Sequence, residues 1–285
     1  MPSLNERLGF SPADKLLIIN ADDAGMCCAV NQGVERAMTQ GLVTSCTVMA
    51  PCPWFDDFAA RARRNPCIKL GVHLTATSEW SHYRWGPVSP REAVPSLVDE
   101  HGYLHASLEQ FLERMRLEEL ERELRAQIER VLRAGLAPTH LDSHMGIYHF
   151  REETNELALR LAEEYHLCLR EAISERVTRL QARGLCVVDR MVFDTHDVPL
   201  EQRRAFYEQF FDLVAPGVTE LITHPAEPTE ELRAIGGMWQ RRGFDLEYFT
   251  NPETEDLIAA HGIRLLGYAE LQAASARALG WGPGR

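Results

Sequence analysis

The stretch Leu16-Leu-Ile-Ile-Asn-Ala-Asp-Asp-Ala-Gly25 decides the architecture of this chain. Its four leading apolar residues predict a buried strand, which runs directly into the adjacent carboxylates of Asp22 and Asp23. Neighbouring carboxylates repel each other, so they persist mainly where a cation or a proton-transfer task holds them. An acidic turn that caps the next helix is the alternative interpretation. The pair therefore indicates a functional site at a strand end.

Three histidines stand at the ends of other short apolar runs: His73, His144 and His224. A single histidine in such a run is more often a core residue than a ligand. Their shared position at strand ends makes a functional role more plausible, because the C-terminal ends of parallel strands lie at the same end of a barrel. We therefore expect the three histidines to converge on the aspartate pair.

Composition limits the classes of function. The chain has 285 residues, of which 45% are hydrophobic, and carries a formal net charge of -12. This acidic balance argues against nucleic-acid binding and against binding to an anionic membrane surface. No run approaches the roughly 20 apolar residues of a membrane span.

Cysteine usage and the N-terminal sequence indicate the cell compartment. The seven cysteines form no C-x-x-C pair, which is typical of reduced thiols. Residues Met1–Arg7 lack the basic and apolar regions of a signal peptide. We therefore expect a cytoplasmic protein.

Apolar runs alternate with helical patterns along nearly the whole chain. The predicted strands are Leu16–Asn20, Thr44–Met49, Lys69–Leu74, Thr139–Asp142, Cys168–Arg170, Val187–Phe193, Thr219–Thr223 and Ile263–Gly267. The predicted helices are Ala29–Gln40, Trp54–Asn65, Glu118–Ala134, Glu152–His166, Leu200–Val214 and Thr254–His261, with a further helix start at Ser107. This alternation predicts a mostly parallel sheet that is closed or nearly closed into a barrel, in a single domain over residues 1–285.

A long segment, residues 77–106, interrupts the alternation. It contains Trp80, Tyr83 and Trp85 and several prolines. Long loops in compact domains are often functional, so these aromatic rings could stack on sugars. The alternative is that they cover the barrel mouth as a small core of their own. Exposed aromatic rings here would also suit a homodimer contact.

The residues at the predicted strand ends include the chemical groups that metal-assisted hydrolysis requires. One aspartate and two histidines can hold a divalent metal and leave positions open for water and substrate. Such a metal activates water and polarises a carbonyl, while the second aspartate is free to act as a base and the remaining histidine as an acid. Asp142, on the same predicted strand as His140, could orient a ligand.

Four motifs in order along the chain carry a family resemblance. Asn20–Gly25, Gly71–Thr75, Pro138–His144 and Thr223–Pro225 resemble the YdjC-like carbohydrate deacetylases, the family that includes chitooligosaccharide deacetylases. Shorter matches between them extend the resemblance over nearly the whole chain. It implies an α/β fold, a distorted (β/α) barrel like a TIM barrel. It also implies a hydrolase that removes acetyl groups from N-acetylated sugars or oligosaccharides with metal-activated water.

The resemblance also assigns roles to residues. It implies that Asp23, His73 and His144 hold one divalent metal ion, that Asp22 is the catalytic base and that His224 is the acid. Two imidazoles favour zinc, iron, cobalt or nickel over magnesium by ligand softness, whereas the family keeps magnesium open.

The chain departs from the family pattern after His144. Met145 and Gly146 stand where the family continues with histidines. This change leaves the implied metal ligands in place and falls on positions that face or flank the pocket.

Two rival functions use the same parts. A metal-dependent phosphoesterase would need two metal ions and a basic residue for phosphate, for which Arg170 is the candidate. A non-catalytic sugar-binding protein could keep the scaffold of an enzyme. The presence of both Asp22 and His224 argues against it, because binding alone requires neither.

Overall fold

A parallel sheet of eight strands forms the centre of the molecule. The computed structural model describes residues 2–171, 173–192, 195, 197–236 and 238–281. The strands are β1 (Lys15–Ala24), β2 (Ser45–Val48), β3 (Leu70–Leu74), β4 (His140–Ser143), β5 (Cys168–Leu169), β6 (Arg190–Val192), β7 (Gly217–Thr223) and β8 (Ile263–Leu265). Each predicted strand has an observed counterpart. The end of the strand predicted to reach Phe193 lies outside the described residues.

Helices cover the sheet. They are α1 (Leu4–Leu8), α2 (Cys28–Gln40), α3 (Phe55–Arg64), α4 (Leu108–Arg114), α5 (Leu117–Arg133), α6 (Glu152–Glu164), α7 (Ser174–Ala182), α8 (Arg203–Leu213), α9 (Glu230–Ile235), α10 (Trp239–Phe249), α11 (Pro252–Ala260) and α12 (Tyr268–Leu279). The predicted start at Ser107 is observed, with its hydroxyl accepting from the Gln110 N–H. Sequence patterning missed α1, α7, α9, α10 and α12, which are short or lack a clean separation of apolar and polar faces. None of the described helices is long and apolar enough to span a membrane.

Strand order explains why the barrel is distorted. The neighbours run β5-β4-β3-β2-β1-β7-β6, so β7 pairs directly with β1. On the other edge of β1, β8 pairs with Lys15–Leu17 and β2 pairs further along, from Asn20 to Ala24. No ladder joins β5 to β6 among the described residues. The predicted distorted (β/α) barrel is confirmed, and it is open between these two strands.

Strand β1 is buried on both faces. Leu17 and Ile19 pack in the larger hydrophobic cluster, whereas Leu16 and Ile18 pack in a second cluster. This alternation follows the two-residue period of a strand, and burial of both faces explains the unbroken apolar run. The core therefore holds the strand that carries the aspartate pair to the mouth.

Helix α5 anchors the long segment of residues 77–106. The buried Glu123 carboxylate accepts the backbone N–H groups of Val88 and Ser89, each at 2.8 Å. Gln127, one turn further on, donates its amide to Glu123 at 2.8 Å. The segment is thus held by buried hydrogen bonds to a helix of the barrel.

We expect Glu123→Ala to lower the free energy of unfolding by about 2–4 kcal/mol, because it leaves two backbone donors without their acceptor. Urea unfolding measures this loss, and limited proteolysis within residues 77–106 should accelerate. Glu118→Ala, at an exposed position of the same helix, is the matched control and should cost less than about 1 kcal/mol. Equal losses in the two variants would contradict the anchoring role.

Candidate active site

A bulge at the end of β1 brings two adjacent carboxylates to one site. In a regular strand, Asp22 and Asp23 would point to opposite faces of the sheet. The register with β2 shifts between Ala21 and Ala24, and Asp23 has a φ of 72°. This left-handed conformation is strained for a residue with a side chain, and such strain is concentrated at functional sites. Both carboxylates thereby reach the neighbourhood of His73.

Asp23, His73 and His144 come together as a buried group that could hold a metal ion. Asp23 Oδ1 lies 3.4 Å from His73 Nε2 and 3.4 Å from His144 Nδ1. One ligand atom of each residue lies within 4.8 Å of the other two. One carboxylate and two imidazoles suit a divalent transition metal that keeps open positions. The structure therefore places the three predicted ligands within reach of one ion.

A carboxylate holds the other ring nitrogen of each histidine. His73 Nδ1 lies 2.7 Å from Asp142 Oδ1, and His144 Nε2 lies 2.9 Å from Glu79 Oε2. Carboxylates in this position fix the ring orientation of metal-binding histidines. Asp142 takes the orienting position that its spacing suggested. Glu79, from the 77–106 segment, was missed, because nothing in its local sequence indicates a partner 65 residues away.

Arg170 lies at the centre of three buried carboxylates. Its two terminal nitrogens contact the two oxygens of Asp22 at 2.8 and 2.9 Å. It also lies 2.6 Å from Asp142 Oδ2 and 2.8 Å from Glu220 Oε1. Burial opposes ionisation of Asp22, but Arg170 and His73 together hold the pKa of this carboxyl well below its usual value. Asp22 is therefore ionised at neutral pH. The guanidinium nitrogens of Arg170 are paired with the carboxylates of Asp22, Asp142 and Glu220.

The guanidinium of Arg170 also pairs with members of a second group of possible metal ligands. Asp22, His73 and Asp142 form another group with suitable spacing, but it shares His73 with the first. Arg170 Nη1 lies 2.8 Å from Asp22 Oδ2 and 2.6 Å from Asp142 Oδ2, so it already pairs with two members of this group. The arrangement among the described residues therefore favours one metal ion.

His224 stands beside Asp22 at the end of the neighbouring strand. The register pairs Ala21 of β1 with Thr223 of β7. The residues that follow this pair are Asp22 and His224. The His224 backbone N–H donates to Asp245 Oδ2 at 3.1 Å. Asp245 belongs to α10 and was not predicted. The register thus brings the predicted acid to the same edge as the aspartate pair.

His140 and Tyr268 form a layer beneath the site. Their rings stack with centroids 3.7 Å apart, and the Tyr268 hydroxyl lies 2.5 Å from Glu220 Oε2. Burial holds the pKa of His140 well below its usual value. Since His140 precedes Asp142 by two residues, it lies on the same face of β4, one layer deeper. It supports the charged cluster from within the barrel.

The two tryptophans of the 77–106 segment differ in burial, so sugar stacking is possible for one of them and not for the other. Trp85 is only 2% exposed, donates its indole N–H to the Thr77 carbonyl at 2.9 Å and packs 6.1 Å from the His144 ring. It belongs to the core behind a predicted ligand. Trp80 is partly exposed and lies against Gly236, where an added Cβ would come within 2.1 Å of the indole. Of these two, Trp80 is the ring that could meet a sugar.

Met145 and Arg242 complete the surroundings of the site. Met145 is 41% exposed, has a φ of 53°, and its sulfur accepts from the Thr77 hydroxyl at 3.3 Å. Arg242, on α10, donates to Asp23 Oδ2 at 2.5 Å and is buried. Sequence reasoning missed Arg242, because no local pattern connects it to a residue 219 positions earlier.

The charges of the metal-free site favour protonated ligands. Each of the two histidines lies between two carboxylates, one at each ring nitrogen. Burial lowers the pKa of both rings, but Asp142 and Asp22 raise that of His73 to about 10. Glu79 and Asp23 likewise raise the pKa of His144 to about 9. Both imidazoles are therefore cationic at neutral pH without a metal.

We expect metal binding at neutral pH to release about two protons per ion, because each imidazolium must lose a proton to become a ligand. The sign follows from the raised pKa values: affinity increases with pH below about 9, by up to about 100-fold per unit, and levels off above about 10. Calorimetry in buffers of different ionisation enthalpy measures the release. A pH-independent affinity between pH 6.5 and 8 would contradict the protonation assignment.

We expect Glu79→Gln to weaken metal binding by about 10–100-fold, because the amide oxygen orients the ring without supplying charge. Chelator competition measures the affinity. Glu100→Gln is the matched control in the same segment, since its side chain is 87% exposed. Unchanged affinity in Glu79→Gln would remove Glu79 from the site.

Comparison with known proteins agrees with this geometry. The family profile described as YdjC-like protein matches residues 16–260. A carbohydrate deacetylase from Enterococcus faecalis is 35% identical over 267 residues, covering 91% of this chain and 99% of the relative. One from Thermus thermophilus is 35% identical over 266 residues, covering 90% of this chain and 94% of the relative.

A solved structure matches over the same length. It is a protein of Enterococcus faecalis, described as a proposed cellobiose-phosphate cleavage protein. It is 34% identical, has a TM-score of 0.81, and the match covers 91% of this chain and 99% of that one. The chain therefore belongs to the YdjC-like family.

Proposed function

We propose that this protein is a metal-dependent hydrolase that removes acetyl groups from N-acetylated sugars or oligosaccharides. The observation that carries the proposal is the buried group of Asp23, His73 and His144, with Asp22 and His224 at adjoining strand ends. The names of the relatives, carbohydrate deacetylases, support the substrate class. We further propose that residues 1–285 act as one domain. Cytoplasmic location and a homodimer stay predictions from the sequence.

The ligand set indicates which ion would bind. The three ligands include two imidazoles, which favour zinc or another late transition metal over magnesium. Carboxylates outnumber guanidinium groups in this buried cluster, so a divalent cation would offset the excess negative charge. When bound, such an ion would polarise the acetamide carbonyl and stabilise the charge that develops on its oxygen.

Asp22 is proposed to orient and deprotonate the attacking water. Its Oδ1 accepts from Asn20 at 2.8 Å and from Arg170 at 2.9 Å, while Oδ2 accepts from Arg170 at 2.8 Å. A carboxylate oxygen has two lone-pair directions, so Oδ2 can accept a further hydrogen bond from water. Because its pKa is low, Asp22 is a weak base, and it serves best by holding the water and passing its proton onward.

His224 is proposed to protonate the departing amine. Its backbone N–H donates to Asp245, and β7 lies on the opposite side of β1 from β3 and β4, whose ends carry the proposed ligands His73 and His144. Water supplies the hydroxyl group of the acetate, and the proton from His224 completes the amine. Acid and base thus stand at neighbouring strand ends, as hydrolysis of an amide requires.

The phosphoesterase alternative is disfavoured by Arg170. This residue is the only phosphate-binding candidate that the sequence suggested, and it is committed to Asp22, Asp142 and Glu220. It also pairs with two of the three residues of the second possible metal group. The residue considered for phosphate is therefore paired with carboxylates, two of which belong to the second group of possible metal ligands.

We expect acetate release from at least one N-acetylated sugar when metal-stripped protein is reloaded separately with zinc, nickel, cobalt, manganese or magnesium. Asp22→Asn should keep one metal ion per chain and lose at least about 100-fold in turnover, because the base is removed. Asp212→Asn, whose side chain is 71% exposed, is the control and should match the parent protein.

Two outcomes would contradict the proposal. Absence of acetate release with every metal, from protein shown to bind one, would reject deacetylation of the sugars tested. Loss of the metal in Asp22→Asn would instead reject the separation between base and ligand. Hydrolysis of phosphoesters with two ions per chain would favour the rival enzyme.

A further inference from the structure

Helix α10 contacts both halves of the candidate site. Arg242 donates to Asp23 Oδ2 at 2.5 Å, and Asp245 accepts the His224 backbone N–H at 3.1 Å. Residues three apart lie on the same face of a helix, and both side chains are buried. One helix therefore contacts a predicted metal ligand and the backbone of the predicted acid.

The position of α10 is itself fixed. Arg203 donates to Asp245 Oδ1 at 2.6 Å, and the Tyr207 hydroxyl donates to the same oxygen at 2.8 Å. The Arg242 carbonyl accepts the Ala226 N–H at 3.2 Å, just beyond the end of β7. Movement of α10 relative to the barrel would break these hydrogen bonds, so the helix presents Arg242 to the site from a fixed position.

The two oxygens of Asp23 have different partners. Oδ1 lies 3.4 Å from the ring nitrogens of His73 and His144, whereas Oδ2 lies 2.5 Å from Arg242 Nη2. The backbone of Asp23 is in the left-handed region, with a φ of 72°. Arg242 therefore contacts the carboxylate oxygen other than the one that lies nearest the two histidine rings.

We propose that Arg242 is a positioning residue that restricts Asp23 to binding the metal through one oxygen and reduces the negative charge that this ligand presents to the ion. The inference rests on the proposed metal-dependent function.

Loss of Arg242 should change metal binding in the direction opposite to loss of an arginine that only supports the fold. A guanidinium next to a ligand repels a divalent cation and draws electron density away from the carboxylate. Without it, Asp23 can offer both oxygens and its full charge, so the metal should bind more tightly. The ion would then be less electrophilic and have fewer open positions, so turnover should fall. If Arg242 only supported the fold, its loss would weaken metal binding.

The test compares Arg242→Met with Arg242→Lys and with the neighbouring Arg241→Met as control. For Arg242→Met we expect zinc to bind at least about 10-fold more tightly, because a nearby positive charge is removed. We expect kcat to fall at least about 10-fold with KM nearly unchanged, because only the reacting state needs the electrophilic ion. Arg242→Lys keeps the charge and a donor to Oδ2, so its zinc affinity should stay within about 3-fold of the parent value.

Cobalt-loaded protein provides a second readout that needs no substrate. If Asp23 binds through two oxygens in Arg242→Met, the coordination number rises and the visible absorption of cobalt weakens. Arg242→Lys and Arg241→Met should keep the parent spectrum. Should Arg242→Met not fold, Arg242→Gln also removes the charge and carries the same expectations.

Weaker zinc binding in Arg242→Met, with turnover lost in proportion to metal content, would overturn the proposal. An unchanged cobalt spectrum together with unchanged zinc affinity would do the same. Because affinity and spectrum are measured without a sugar, failure of the deacetylase assignment would leave this test valid. Acetate release by the parent protein decides that assignment separately.

Discussion

The contact of Arg170 with three buried carboxylates is the interaction on which the rest of the site depends. Asp22, Asp142 and Glu220 all lie within 3 Å of its guanidinium nitrogens. Burying an uncompensated carboxylate is expensive, and removing one partner of a buried ion pair leaves a charge that neither water nor protein satisfies. Arg170 therefore makes it possible to collect several acidic groups beneath a barrel mouth. Asp142, held in this way, can orient His73.

The strained backbone of Asp23 and the charged groups of the site are surrounded by buried, well-packed elements. Strand β1 is paired on both edges, and its bulge turns Asp23 into the site at the cost of a left-handed backbone. Two elements outside the barrel strands then complete the surroundings of the predicted ligands. Glu79 comes from the segment that α5 anchors, and Arg242 comes from the fixed helix α10. Functional groups on loops and helices are thus fixed by buried contacts with the rigid sheet.

Local patterns were sufficient for the sheet and the strand-end residues. Short runs of three to seven residues indicated the strands, and several of these runs end in or are followed by Asp or His. Burial of both faces of β1 explains why its apolar run is continuous. Parallel strands share one C-terminal edge, so residues such as His73 and His144 were expected to converge. The same reasoning considered Arg170 as a substrate-binding or ligand-orienting residue, and as the phosphate ligand of a rival phosphoesterase, because a sequence shows a positive charge without showing the carboxylates that surround it. It also left open whether Trp85 stacks on sugar, which burial decides in favour of the core.

The sequence by itself determined the alternation of strands and helices, the family and the inventory of chemical groups, because each depends on short-range periodicity or on contiguous motifs. Only the tertiary structure decided which groups meet. The partners of His144, Asp22 and Asp23 in this cluster lie 65, 148 and 219 residues away in the chain. No local pattern encodes such pairings, since they arise from strand order, from the open edge between β5 and β6, and from where α10 packs. The roles of Glu79, Arg170 and Arg242 are set by that packing, because the charge and orientation of a buried group depend on its spatial neighbours.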